Sequence, residues 1–280
     1  MRFEEFQLER NQSLFENEVD YNLSESGVHP LKISEILSSE EQNQILDKEL
    51  YYGYTNGTPE LRQRVLDIYD QNLSLDNVLI TSGSAEANFL SVMTQLNTGD
   101  EIVYMVPNYL QIFHLARSLG IKVKTLPIRQ ELGWQWDPDE LKKLVSSKTK
   151  MIVVCNPNNP TGAIMHDEIM DLVITIAEEN DCWILSDEVY RGAELKGEEC
   201  RSFAFSTEKT IVNAGLSKAY SLPGLRIGWT VGSKTYINRA WSFHDFTVIN
   251  VSYLSDWIAS KILECGRRKK ILNRTKDHLN

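Results

Sequence analysis

The chain has 280 residues, of which 42% are hydrophobic and 24% charged, so it can bury a sizeable core and is not a disordered segment. A formal net charge of −10 argues against nucleic acid or an anionic membrane surface as partner. The N-terminus Met1-Arg2-Phe3-Glu4-Glu5 lacks a secretion-signal core, and no apolar run approaches a membrane span. Cys155, Cys182, Cys200 and Cys265 have no metal-ligand spacing and suit a reducing compartment, so the expected location is the cytoplasm.

In chain order, residues 1–45 read as an N-terminal arm with helices, including Leu31 to Leu37 at helical spacing. Between residues 78 and 232, short β-rich runs alternate with helical patterns. Strands are expected near 78–81, 101–106, 121–126, 150–155, 182–187, 209–213 and 226–231. The intervening helices are expected around 84–97, 109–119, 137–146 and 166–180. This alternation predicts an α/β fold of three layers, α/β/α, with a mainly parallel sheet. Residues 233–270 read as one helix, with the basic run Arg267-Arg268-Lys269-Lys270 as a solvated end. Trp134 and Trp136 fit a hairpin face, and the five histidines are isolated. Gly232-Ser233-Lys234-Thr235 lacks the upstream glycine of a P-loop, and no dinucleotide-binding glycine pattern occurs.

Chemistry concentrates in four short segments. Lys218 lies among small residues just past the apolar run Thr210 to Val212; a desolvated amine there can attack a carbonyl to form a Schiff base. Arg226, eight residues on, suits an anion such as a phosphate. Asn156-Pro157-Asn158-Asn159-Pro160-Thr161-Gly162 reads as a tight turn leaving a strand; its prolines orient the Asn159 amide, while Asn156 and Asn158 suit a structural role. Asp187 and Tyr190 stand at a strand's C-terminal end, where open parallel sheets bind ligands. Ser82-Gly83-Ser84-Ala85-Glu86-Ala87 turns from a strand into a helix, whose free N–H groups make either a phosphate seat or an ordinary capped start.

The motifs Asn-Pro-x-Asn-Pro-Thr-Gly, Ser-Asp-Glu-Val-Tyr and Ser-Lys-x-Tyr-Ser-x-Pro-Gly-x-Arg-x-Gly together resemble those of the class I/II aminotransferases, fold-type I enzymes that use pyridoxal phosphate. They occur in that family's order, with Asn159, Asp187, Lys218 and Arg226 spaced 28, 31 and 8 residues apart. The match runs from about Tyr52 to Gly232. The resemblance implies that Lys218 carries the cofactor as a Schiff base and then moves the substrate proton, and that Asp187 pairs with the pyridine nitrogen. It implies that Tyr190 and Asn159 bond the ring oxygen and that Tyr109 stacks on the ring. Arg226, Ser84, Ala85 and the Glu86 backbone would hold the phosphate. Tyr52, within Tyr51-Tyr52-Gly53-Tyr54, would reach the phosphate of a neighbouring subunit, implying a homodimer with a shared active site.

Two positions depart from the family pattern. Gly215 stands where the family often has Ser or Thr, leaving Ser217 as the substitute donor. The family's arginine for the substrate α-carboxylate lies far downstream of the lysine, whereas this sequence runs only 62 residues past Lys218. The expectation is therefore a C-terminally truncated member. Its parts would be an arm and small-domain segment over 1–45, a large cofactor-binding domain over 46–232, and a helix over 233–280 leading to a mostly missing small domain. Apolar faces over 1–45 and 247–263 should then be exposed. The implied reaction is transamination between an amino acid and a 2-oxo acid. Lyase, decarboxylase or cyclising chemistry on the same scaffold, or a non-catalytic cofactor-binding remnant, are the alternatives. Glu25, where the N-terminal segment passes the substrate, reads as a solvated loop residue or as a partner for a basic side chain.

Overall fold

The computed structural model describes residues 3–69 and 73–280. Its seven strands are β1 (Val78–Thr81), β2 (Glu101–Val106), β3 (Lys122–Pro127), β4 (Thr149–Cys155), β5 (Trp183–Asp187), β6 (Thr210–Gly215) and β7 (Gly228–Gly232). They form one sheet in the order β1-β7-β6-β5-β4-β2-β3. Strands β6, β5, β4, β2 and β3 run parallel, and β7 is antiparallel to both β6 and β1. Because β7 opposes both neighbours, β1 points the same way as the parallel set, and six strands end on one edge.

Eleven helices accompany the sheet among the described residues: α1 (Gln7–Phe15), α2 (Ile33–Ile36), α3 (Ser39–Leu46), α4 (Pro59–Leu66), α5 (Gly83–Gln95), α6 (Gln111–Ser118), α7 (Pro138–Leu144), α8 (Asp167–Glu179), α9 (Lys234–His244), α10 (Tyr253–Ile262) and α11 (Cys265–Leu279). Local chemistry sets several starts. Thr58 caps α4 ahead of Pro59, Asp137 caps α7 ahead of Pro138, and Ser233 and Ser252 cap α9 and α10.

Alternate residues along each strand point to opposite faces, and both faces are covered. Ile102, Tyr104, Met151, Val153 and Leu185 join a core with Leu90 of α5, Ile112 of α6 and Ile237 of α9. Val103, Met105, Ile152, Val154 and Ile184 join the other core, with Leu61 of α4, Val173 of α8, Ile258 of α10 and Ile271 of α11. A strand buried on both faces must be apolar throughout, which is why the runs lack polar alternation.

The expected three-layer α/β/α arrangement with a mainly parallel sheet is observed. Several local expectations are corrected. Residues 233–270 are not one helix: the chain breaks after His244, Ile249 takes a φ of +66°, and Ser252 restarts a helix. Only Ile33–Ile36 of the Leu31–Leu37 stretch is helical. Of the basic run, Lys269 and Lys270 are exposed, but Arg267 and Arg268 are not a solvated end. Arg268 pairs with both Glu199 oxygens at 2.6 and 2.8 Å and donates to Tyr220 Oη, while Arg267 reaches Glu41 at 2.9 Å. Trp136 is core, donating to the Leu126 carbonyl, and only Trp134 sits at the turn surface. Apolar side chains in the N-terminal arm are exposed as expected (Phe15, Tyr21, Leu23), and so are Val248 and Ile249, but Ile258 and Ile262 of α10 are buried.

Candidate active site

Turns at the carboxyl edge of the sheet carry all the motifs. Asp187 is the last residue of β5, Lys218 follows the end of β6, Asn159 lies in the turn after β4, and Ser84 opens α5 after β1. Parallel strands therefore gather residues that are far apart in sequence.

Asp187 is almost buried. Asn88 Nδ2 donates to its Oδ2 at 3.3 Å and the Val189 N–H donates to its Oδ1 at 3.2 Å. Among the described residues no cation pairs with it, and burial pushes its carboxyl pKa upward. A buried carboxylate with neutral partners is complementary to a cationic ligand atom. Behind it, Asn213 Nδ2 donates to Asn88 Oδ1 at 2.8 Å and to Ser91 Oγ at 3.0 Å, and Ser91 meets Tyr236. This polar chain fixes the orientation of Asn88.

An anion seat lies at the start of α5. Ser82 makes no side-chain cap, so the first N–H groups of the helix are free of one, and the dipole's positive end faces the site. Arg226 stands beside it: a Cβ added to Gly83 would lie 2.4 Å from Arg226 Nη2. Gly83 also needs its φ of +75°, and a Cβ at Gly228 would come within 2.4 Å of Ser84 N. Both glycines let the arginine and the two backbones close on one spot. Ser217 Oγ accepts from Arg226 Nη1 at 3.3 Å, which brings Ser217 to the same seat.

Lys218 Nζ lies 2.7 Å from Glu25 Oε1, and its side chain is 28% exposed. Glu25 is thus an ion-pair partner, not a freely solvated residue. Burial alone would raise the Glu25 pKa, but bonding and charge from Lys218 lower it overall. Its neighbour Ser26 bonds Tyr190 Oη at 2.7 Å, and burial pushes the Tyr190 phenol pKa up. Tyr109 is half-buried; its Oη donates to Glu9 of α1 at 2.7 Å and its ring meets Phe6 edge-on. The N-terminal arm therefore crosses the mouth of the site. Beside Asn159 and Tyr190 opens a cleft of about 600 Å³, lined also by Ser26, Ala193, Leu195 and Lys196. Asn156 and Asn158 are buried turn residues, as expected, accepting from Met165 N–H and Thr161 N–H.

The profile of the family described as aminotransferase class I and II matches residues 20–275. The chain belongs to that family. An aspartate aminotransferase of Pyrococcus horikoshii is 32% identical over 72% of this chain and 53% of its own length. An aspartate/prephenate aminotransferase of Thermus thermophilus is 29% identical over 76% of this chain and 56% of its own. The chain spans about half the length of the curated relatives it matches. Among solved structures, a PLP-dependent aminotransferase from Streptococcus suis aligns with a TM-score of 0.86 at 30% identity, covering 98% of this chain and 74% of that one. Thermus thermophilus aspartate aminotransferase with maleate, at 22% identity and a TM-score of 0.87, shares the fold.

Family membership implies pyridoxal phosphate as cofactor, and the residues present fit it. Asp187 offers an anion for the ring nitrogen, α5 with Arg226 offers a seat for the phosphate, and Lys218 offers the amine. The departure at position 215 has a steric reason. A Cβ there would meet Ile227 O at 3.0 Å and the Gly228 Cα at 3.1 Å, so a serine would be crowded against the neighbouring backbone, and Ser217 reaches the seat instead. Glu86 contributes more than backbone: its buried carboxylate accepts from Ser82 N–H at 2.6 Å. Tyr52 lies on the surface, 72% exposed. Asn88 escaped the sequence reading, since an asparagine inside a helix carries no motif; its one signal was its place on the face that Ser84 starts.

Proposed function

We propose that this chain binds pyridoxal phosphate covalently at Lys218 and transfers an amino group from an amino acid to a 2-oxo acid. One observation carries the reading: a buried carboxylate with no cation partner among the described residues, Lys218, and an anion seat beside Arg226 all lie at the carboxyl edge of one sheet. The bound cofactor supplies a ring that stabilises negative charge at the substrate Cα. Asp187 would hold the proton on the ring nitrogen, and Arg226 with the α5 amides would hold the phosphate. Tyr190 and Asn159 would donate to the ring oxygen, and Tyr109 would cover one ring face. The Lys218 amine would hold the cofactor carbonyl and would serve as the base for the substrate Cα proton.

In this reading residues 46–232 form the cofactor-binding unit, 1–45 the arm over its mouth, and 233–280 helices packed against it. The protein acts as a homodimer in which Tyr52 reaches the partner's phosphate; the exposure of Tyr52 and nearby Leu50 supports this. No helix among the described residues is long and apolar enough to cross a membrane. A cytoplasmic location agrees with four unpaired thiols. Purified protein with pyridoxal phosphate should absorb in the visible and convert amino acids only when a 2-oxo acid is supplied. Turnover without any 2-oxo acid would point to elimination or decarboxylation, and no visible band would refute the cofactor assignment.

A further inference from the structure

Helix α5 starts without a side-chain cap, yet the backbone N–H of Ser82 is not free: it donates to Glu86 Oε2 at 2.6 Å. The other carboxylate oxygen, Oε1, lies 2.9 Å from His244 Nδ1 and also accepts from Thr247 Oγ1. Glu86 is 8% exposed and His244 fully buried. Burial would raise the Glu86 pKa, but bonds from His244, Thr247 and Ser82 N–H lower it overall, so the group is an anion. An anion one helical turn from a phosphate seat repels the phosphate. A helix N-terminus binds anions without it, so the carboxylate must serve the seat in another way.

Three donors converge on that carboxylate from the loop before α5, the end of α9 and the turn beyond it. Gly83, next to Ser82, takes a φ of +75° and touches Arg226, so the conformation held by Glu86 is the one that brings the arginine against the helix start. The turn bearing Thr247 continues to Asn250, whose side chain donates to the Tyr52 carbonyl. We propose that Glu86 is a positioning residue for phosphate binding: its carboxylate locks the Ser82–Gly83 turn and anchors it to α9 through His244 and Thr247. The inference rests on the proposed cofactor reading and deepens it. It gives the Glu86 side chain, beyond its backbone, a role in assembling the seat before the phosphate arrives.

The test compares pyridoxal phosphate with pyridoxal, which lacks the phosphate, by titrating the visible band of the full chain. Glu86→Ala should weaken pyridoxal phosphate at least about tenfold, as expected for a lost bond to a charged group, and leave pyridoxal within about twofold. Glu86→Gln keeps an acceptor for Ser82 N–H and should restore affinity to within about threefold of the parent. Thr247→Val, a milder change that leaves the Ser82 bond intact, should weaken pyridoxal phosphate about threefold with pyridoxal unchanged. Equal weakening of both ligands would mark Glu86 as a general structural residue and overturn the proposal. So would an unchanged affinity for pyridoxal phosphate in Glu86→Ala. A parent chain with no visible band on either ligand would instead overturn the cofactor reading beneath it.

Discussion

Replacing Asp187 by asparagine separates the charge of this side chain from its shape. In the cofactor-free chain the carboxylate is buried, bonded only by Asn88 and the Val189 N–H, and its pKa is raised by burial. An acid with a raised folded-state pKa binds its proton more tightly when folded than when unfolded. Its contribution to stability is therefore most favourable below the ordinary carboxyl pKa and declines as pH rises through the window up to the raised value. Above that raised value the cofactor-free chain bears the cost of a buried charge, and Asp187→Asn removes it. Against that gain stands one hydrogen bond. The new amide faces Asn88 Nδ2, and the Asn88 oxygen is already engaged by Asn213 at 2.8 Å, so about 1 kcal/mol is lost. The empty variant should melt at or above the parent at pH 7, and this advantage should disappear below about pH 4. With cofactor bound the sign reverses. Breaking a buried charge pair costs about 3–5 kcal/mol, or between two and four decades of rate at about 1.36 kcal/mol per decade. Thermal melts at both pH values, with and without pyridoxal phosphate, and single-turnover absorbance with an amino acid measure both halves. An empty variant melting well below the parent at pH 7 would refute the charge argument, and a parental rate would remove Asp187 from the ring nitrogen.

Borohydride reduction of protein treated with pyridoxal phosphate, followed by peptide mapping, should leave the pyridoxyl group on Lys218; label on another lysine would relocate the reactive amine. Gly83→Ala should cost about 1–3 kcal/mol in denaturant melts and weaken pyridoxal phosphate, because its methyl would meet Arg226 Nη2 at 2.4 Å and its φ is unfavourable. Unchanged stability and affinity would show that the arginine does not need that close approach. Glu25→Gln frees the Lys218 amine from a partly exposed ion pair and should speed growth of the visible band about two- to fivefold at neutral pH, the equivalent of about 0.5–1 kcal/mol. A slower band would mean that Glu25 assists attachment.

What could be read in the sequence was local. Strands such as Met151 to Cys155 are buried on both faces and therefore appear as short unbroken apolar runs between turn residues. The direction of β7 was not readable, because a five-residue run has no polarity; it is set by the connection through Pro223–Leu225, which returns the chain antiparallel to β6. The helix break at 245–252 contains neither proline nor glycine. It is stabilised from a distance: Thr247 bonds Glu86, 161 residues away, and Asn250 bonds Tyr52. The same distinction runs through the site. Asp187 and Arg226 also bond within their own turns, to the Val189 N–H and the Pro223 carbonyl. Asn88 and Glu25 act across 99 and 193 residues, and nothing in their neighbours announces the partner.

The chemistry of the pocket follows from how its charges are separated. A buried carboxylate without a cation among the described residues and a helix start beside an arginine lie at the same edge of the sheet, the first after β5 and the second after β1. A ligand of one sign relieves only one of them: a simple anion fills the seat but leaves Asp187 uncompensated, and a simple cation does the reverse. The group that relieves both carries an anion at one end and a protonatable ring nitrogen at the other, with a carbonyl between them for the lysine. Pyridoxal phosphate has that arrangement. In the proposed reading its phosphate answers the helix start and Arg226, its ring nitrogen answers Asp187, and its carbonyl answers Lys218.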